Sequence, residues 1–184
     1  RLGETIAALS NDRVTFLNGT VLATDAVVLT TGMIAAGFVR HIPGERDSLG
    51  RIVVDRFLRA LAAPAVFVTG DAAAADTGDG HRALQSCQHA LQLGRFAGEN
   101  AARDLLGMPA LPYAQPRYVT CLDLGRSGAV VTQGWDRTVV TTGAEAKARK
   151  RWINTVLIYP PANVSAAKLL ALSSTDPAAQ QFPS

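Results

Sequence analysis

The sequence contains only two cysteines, Cys87 and Cys121, and they lie too far apart to form a Cys-x-x-Cys redox pair. Two thiols are also too few for a disulfide framework or a cysteine-based metal site, so a reducing cytoplasm is the expected setting. No apolar run reaches the roughly 18 residues that a membrane-spanning helix requires. The first residues carry no signal-peptide pattern, and the chain therefore reads as soluble or peripheral. No Gly-x-Gly-x-x-Gly dinucleotide fingerprint is present, because Thr77-Gly78-Asp79-Gly80 has the wrong spacing and no strand before it. Charge of one sign is scarce as well. A formal net charge of +3 over 184 residues is mildly basic, far short of what a dedicated nucleic-acid binder shows, and says little about partners.

What is present is enough apolar material, 48% of the residues, for one or two compact units with a buried core. The chain begins at Arg1 without a methionine and enters a hairpin-like pattern almost at once, which suggests the carboxyl-terminal part of a longer polypeptide. Apolar and polar residues alternate over residues 1–22, with Ile6, Val14, Phe16 and Val21 as inward candidates and Asn18-Gly19 as a type I′ hairpin turn. Ala26-Val27-Val28-Leu29-Thr30, closed by Thr31-Gly32, reads as a buried strand. Residues 33–48 carry Gly37, Pro43 and Gly44 without periodicity, as a crossing between domains would. A short strand over residues 52–54 follows.

The rest of the chain is organised around Ala65-Val66-Phe67-Val68-Thr69-Gly70-Asp71. This run, opened by Pro64, reads as a fully buried strand of a parallel sheet that stops at Gly-Asp. Glycine there lets backbone approach a ligand, and aspartate places an acceptor-only carboxylate in the crevice where open α/β sheets bind their ligands. A sugar or ribitol hydroxyl is its natural donor; taken alone, Gly-Asp is also a turn with an Asx cap. The longest helical pattern covers residues 81–106, with Leu84, Cys87, Leu91, Gly94, Ala97, Ala101 and Leu105 as one stripe of mostly small residues. A proline-rich linker spans residues 109–116. Three short strands over 118–124, 129–133 and 137–142 form a meander by spacing, and helical character returns over 145–157. Pro160-Pro161 breaks the chain, a short helix is expected over 164–172, and the tail from Ser173 reads as disordered.

Three blocks in order carry a resemblance: Gly50-Arg51-Ile52-Val53-Val54-Asp55, the strand ending in Gly70-Asp71, and Arg82-Ala83-Leu84-Gln85-Ser86-Cys87-Gln88-His89-Ala90-Leu91-Gln92-Leu93-Gly94. Their order resembles the carboxyl-terminal half of the FAD-dependent pyridine nucleotide-disulphide oxidoreductase superfamily, and within it the type II NADH dehydrogenase branch. The resemblance implies an α/β fold, the carboxyl-terminal part of a flavoprotein with two dinucleotide-binding domains, plus a small α+β domain. Residues 1–48 would be the end of the NAD(P)-binding domain and the crossover, 49–108 the second FAD-binding segment with its long helix, and 109–184 the α+β domain facing a dimer partner or a membrane. Both pyrophosphate sites would lie upstream of Arg1. The implied activity is hydride transfer from NAD(P)H to FAD and onward transfer of electrons to a quinone-like acceptor. A homodimer, or association with the missing amino-terminal half, is the implied assembly.

The resemblance also assigns residues. Asp71 would accept from the ribitol of FAD, with Gly70 giving backbone access, and the helix start near His81 and Arg82 would set its positive dipole against the flavin ring. That logic is physical: a reduced flavin is anionic, and a helix start is a preorganised cationic partner. Gln88 and Gln92 match the glutamines of an Ala-Gln-x-Ala-x-Gln motif that lines the quinone pocket, with Cys87 in place of the first alanine. Glutamines four apart share a helical face, although surface glutamines at that spacing are common. Cys121-Leu122-Asp123-Leu124-Gly125-Arg126 resembles a Cys-x-x-Leu-Gly-Arg stretch in carboxyl-terminal domains of bacterial relatives.

Other residues admit two readings each. Cys87 is an active-site thiol or, within the apolar stripe, a packing residue. His81 and His89 are proton donors to reduced flavin or quinone, or simply exposed. The basic segment Lys147-Ala148-Arg149-Lys150-Arg151-Trp152, followed by Ile153, Val156, Leu157 and Ile158, suits peripheral contact with anionic lipid or an ordinary solvated helix face. A function from another class, a cofactor-free module for dimerisation or interaction, fits the same fold.

Overall fold

The computed structural model describes residues 3–159 and 161–176 of the chain, so the break expected at Pro160 and the tail beyond residue 176 lie outside the described residues. Two compact units divide between Met33 and Ile34.

The first unit is a three-stranded antiparallel sheet of β1 (Ile6–Leu9), β2 (Arg13–Phe16) and β3 (Val21–Ala23), with β2 in the centre. Of the four inward candidates only Val14 and Phe16, on the central strand, are buried; Ile6 and Val21 are exposed, because an edge strand is covered from one side only. The hairpin turn also departs from type I′, which needs φ > 0 at both central residues. Gly19 has φ +82 but Asn18 does not, and Gly19 N–H donates to Phe16 O (3.0 Å). Leu17-Asn18 is therefore the turn and Gly19 the left-handed residue of a bulge. Asn18 is held there by accepting from Thr20 N–H (2.9 Å) and donating to Glu4 (2.8 Å). Residues 26–30 do not form the expected buried strand: they are exposed, Val28 at 85%. A lone extended run gains ladder bonds only from a neighbour, and none pairs with it among the described residues.

In the second unit β4 (Ile52–Val53), β5 (Arg59–Ala60), β6 (Ala63–Phe67) and β7 (Ala73–Ala74) form two small pairs, β4 with β7 parallel and β5 with β6 antiparallel. The organising strand is thus one arm of a hairpin, not a member of a parallel sheet. Pro64 lies within it and cannot donate to a central ladder, and Ala65 is exposed. The tight turn between β4 and β5 places Leu58 at φ +70. That strain costs about 1–2 kcal/mol. Burial of the whole Leu58 side chain returns about 2 kcal/mol, and the Asp55 carboxylate accepts from Phe57 N–H (2.8 Å) and Arg59 N–H (2.9 Å). One core cluster joins Leu58, Ala75, Ala83, Leu93, Ala97 and Tyr113; another joins Val39, Ile52, Ala60, Val68 and Ala73.

The long helix α1 spans Cys87–Leu105, starting later than residue 81 because Ser86, in extended conformation, caps it. Its buried face is His89, Leu93, Ala97 and Asn100, which shares only Ala97 with the expected stripe: Leu91 and Cys87 are exposed, and Leu105 is 88% exposed. Asn100 is fully buried and donates to Phe57 O (3.0 Å) and Leu111 O (2.9 Å) while accepting from Leu111 N–H (2.7 Å). The proline-rich linker is fixed in this way, and further by Tyr113 N–H to Arg56 O (2.8 Å) and Gln115 N–H to Thr77 O (2.8 Å).

The meander is present as β8 (Val119–Asp123), β9 (Ala129–Gln133) and β10 (Thr138–Thr142), antiparallel with β9 in the centre. The helix α2 (Gly143–Trp152) packs Ala146 against Ala129 and Val131, then opens into a π-turn over Ile153–Leu157; α3 (Ala166–Leu172) follows.

Candidate functional site

Gly70 and Asp71 form a single 3₁₀ turn directly after β6 and Thr69. Gly70 has φ +62, and a Cβ there would meet Ala90 Cβ at an ordinary 3.8 Å, so backbone conformation rather than space reserves this position for glycine. The start of α1 lies beside the turn. Gln85, just before the cap, donates its side-chain N–H to Asp71 O (3.1 Å), and the Ala90 and Gly94 face of the helix lies against Gly70 and Thr69. The Asp71 carboxylate is exposed and has no hydrogen-bond or ion-pair partner among the described residues. The first N–H groups of α1, those of Cys87 and Gln88, precede the helix ladder, which opens with Ala90 N–H to Ser86 O (2.9 Å). An unpaired carboxylate acceptor and a helix start with open donors therefore share one end of the unit. This pairing suits a ligand with hydroxyls on one side and a carbonyl-rich or anionic ring on the other.

His81 and Arg82 are not at that helix start. Arg82 bridges to Asp76 in extended conformation and donates to Ala74 O (3.2 Å). His81 closes a turn centred on Asp79, whose carboxylate accepts from Thr77 Oγ1, from Trp135 Nε1 (3.0 Å) and from His81 N–H (3.3 Å). The Thr77 hydroxyl first, then Trp135 and His81, hold Asp79 down to about 2. The His81 ring stacks on Trp135 at 4.4 Å, and Trp135 stacks on Tyr118 at 4.5 Å. These residues clamp the meander to the 76–82 loop, a tertiary role that displaces the expected one beside the helix dipole.

Gln88 and Gln92 are separated by the structure. Gln88 donates to Val119 O (2.7 Å) and accepts from Val119 N–H (3.4 Å), so both ends of its amide are engaged by the edge of β8. Gln92 lines a cavity of about 580 Å³ with Phe96, Gln115 and Arg117. A second cavity of about 490 Å³ is apolar, between Ala90, Leu91 and Gly94 of α1 and Leu157, Tyr159, Leu169 and Leu172. It opens on the same helix face as Gly70, and neither glutamine lines it.

His89 is wholly buried, its Nδ1 2.8 Å from Ser86 Oγ and its ring tilted against Tyr118 at 5.7 Å and Trp135 at 5.9 Å; burial holds it below its ordinary value. It is therefore not an exposed histidine. Cys87 is exposed and not packed within an apolar stripe, and Cys121 Sγ lies 4.0 Å from Ala146 O. Ser86, Gln85, Asp79 and Trp135 escaped the sequence reading. Ser86 alone carried a signal, as a cap-type residue ahead of a helical run. Among the described residues no cluster of His, Cys, Asp and Glu could hold a metal, and no helix is long and apolar enough to cross a membrane.

Residues 1–94 match the family model described as pyridine nucleotide-disulphide oxidoreductase. Two "NADH dehydrogenase-like" proteins of Mycobacterium tuberculosis, from strains CDC 1551 / Oshkosh and H37Rv, are each 48% identical over 174 residues, which is 95% of this chain and 44% of theirs. The chain thus spans less than half the length of these relatives. A crystal structure of an FAD-dependent pyridine nucleotide-disulphide oxidoreductase from Desulfovibrio vulgaris shares the fold, with TM-score 0.52 and 21% identity over 80% of this chain and 36% of that one. The Gly70–Asp71 turn and the helix behind it, up to Gly94, fall inside the matched family region, and the chain belongs to the pyridine nucleotide-disulphide oxidoreductase family, with NADH dehydrogenase-like relatives.

Proposed function

We propose that this chain supplies the ribitol and ring side of an FAD site in an NADH dehydrogenase-like NAD(P)H oxidoreductase. The observation that carries this reading is the unpartnered Asp71 carboxylate on a left-handed Gly70 turn beside the open start of α1. Bound FAD would supply a two-electron carrier that takes hydride from NAD(P)H and passes electrons to a quinone-like acceptor. Asp71 accepts from a ligand hydroxyl, Gly70 keeps the turn's backbone close to the ligand, and the Cys87 and Gln88 N–H groups face negative charge as it develops. The apolar cavity beside Ala90, Leu91 and Gly94 suits the ring of the acceptor, with Gln92 on the neighbouring face of the helix. Residues 1–48 close an NAD(P)-binding domain in this reading, 49–108 form the FAD segment and 109–184 a domain for dimerisation or membrane contact. The exposed Trp152, Val156 and Tyr159 beside the basic end of α2 support contact with the cytoplasmic face of a membrane.

A second reading, a cofactor-free module for association, is favoured by one observation: in the first unit Val28, Leu29 and Met33 are exposed. The visible absorption spectrum of the purified chain, taken after adding FAD and desalting, separates the two. Retained flavin that is lost on Asp71→Ala supports the flavin site; a colourless wild-type chain refutes it for this chain and leaves the association reading.

A further inference from the structure

The Ser86–His89 pair lies at the helix start that faces Asp71, and its hydrogen-bond inventory can be completed. Ser86 Oγ caps α1 by accepting from His89 N–H (3.5 Å) and lies 2.8 Å from His89 Nδ1. His89 Nε2 is buried and has no partner among the described residues. Two tautomers are available. With the proton on Nε2, a buried N–H would be orphaned, the kind of group that folded proteins almost never leave unpaired. With the proton on Nδ1, the orphan is only a lone pair, and Nδ1–H donates to Ser86 Oγ. Burial disfavours the doubly protonated ring, so the two single-proton forms are the ones to compare.

A serine hydroxyl has two lone pairs and one proton. Both lone pairs then face His89, and no described group takes the proton. Ser86 is half-buried, on the end of α1 that Gln85 ties to Asp71. We propose that His89 is a positioning residue that holds Ser86 as an acceptor, so that the Ser86 hydroxyl proton points out of the helix start and donates to a carbonyl or anionic oxygen of the bound flavin ring. The inference rests on the flavin reading above. It pairs an outward donor, Ser86, with an outward acceptor, Asp71, across one ligand, and it gives the buried histidine a purpose that packing alone does not need.

Long-range ¹H–¹⁵N spectra of the wild-type chain report which nitrogen of His89 carries the proton, with no cofactor required. The expected result is a proton on Nδ1 that keeps its place on titration with FAD. Flavin affinity, read by fluorescence, then compares two caps. Ser86→Gly removes the hydroxyl and with it the acceptor of His89 Nδ1–H, so its stability is measured alongside; among chains still folded it is expected to weaken FAD binding about tenfold. Ser86→Asn caps equally well and restores an outward N–H, and is expected to bind within about twofold of wild type. A proton on Nε2, or a Ser86→Gly chain that binds FAD as tightly as wild type, overturns this inference alone. A wild-type chain that takes up no FAD refutes the flavin reading and this inference with it.

Discussion

Gln88 is where a binding role and a structural role make opposite predictions. In the meander Tyr118 O accepts from Gly134 N–H (2.9 Å), so the backbone groups of Val119 face away from β9 and toward α1. Gln88 meets both of them, with one short bond (2.7 Å) and one long one (3.4 Å), and Gln115 Nε2 closes the seam by donating to Gln88 O (3.2 Å). Replacing Gln88 by Leu keeps the bulk and removes the amide. The short bond contributes about 1 kcal/mol net, and leaving the half-buried Val119 groups unpaired costs about 1–2 kcal/mol more, so a loss of about 2–3 kcal/mol is expected. For a chain of this size that is a fall in midpoint of about 5–10 °C. Gln88→Glu should be at least as damaging at pH 7, because it sets a carboxylate against the Val119 carbonyl. Part of that loss should return below about pH 4, where the protonated carboxyl can donate. Urea unfolding measures the loss, and hydrogen exchange at Val119 locates it. If Gln88→Leu unfolds within about 0.5 kcal/mol of wild type, the seam contributes nothing and the amide is available to a ligand after all.

Three other outcomes are expected. Asn100→Leu, which strips three buried hydrogen bonds at nearly constant volume, should destabilise by about 3–5 kcal/mol in denaturant titration, and a loss below about 1 kcal/mol would contradict the assigned network. Gly128→Ala should cost more than Gly70→Ala: a Cβ at Gly128 would lie 2.9 Å from Gly143 backbone, whereas at Gly70 only the positive φ opposes it, at about 1–2 kcal/mol. Equal melting temperatures for the two variants would refute that ranking. Two pH windows follow from the titrating groups. Asp79, held at about 2 by Thr77, Trp135 and His81, favours the fold above its ordinary value of 3.8, and that contribution is lost as pH falls toward 2. His89, lowered by burial, makes the unfolded chain bind a proton first, so stability should fall as pH drops below about 6.5. Asp79→Asn should flatten the first slope and His89→Asn the second, each read from unfolding curves against pH.

Much of the local structure was legible. The meander follows from alternating residues broken by Gly125, Gly128 and Gly134, all of which take positive φ in the structure. The second helix was readable as helical character over residues 145–157, but its π-turned end over Ile153–Leu157 was not. The buried face of α1 was not, because two of its four buried residues, His89 and Asn100, are polar and are buried for hydrogen bonds that hydropathy cannot see. Nor was the pairing of β6 with β5, since a short apolar run carries no record of its neighbour and only Pro64 hinted at an edge.

Gly70 and Asp71 illustrate what sequence determines by itself. A residue free to take φ +62, followed by an acceptor-only side chain, is specified by two adjacent identities, and so is the family likeness carried by the run up to Gly94. Which groups meet across the fold was decided only in three dimensions. Ser86 rather than His81 stands at the helix start, because a cap needs an extended residue whose oxygen reaches back to the first turn, and the turn around Asp79 draws His81 to Trp135 instead. Gln88 and Gln92, equivalent by spacing, acquire different duties because only one of them faces the unpaired edge of β8. Local conformation depends on neighbours in sequence, whereas the partner of a polar side chain depends on which backbone groups the packed chain leaves open.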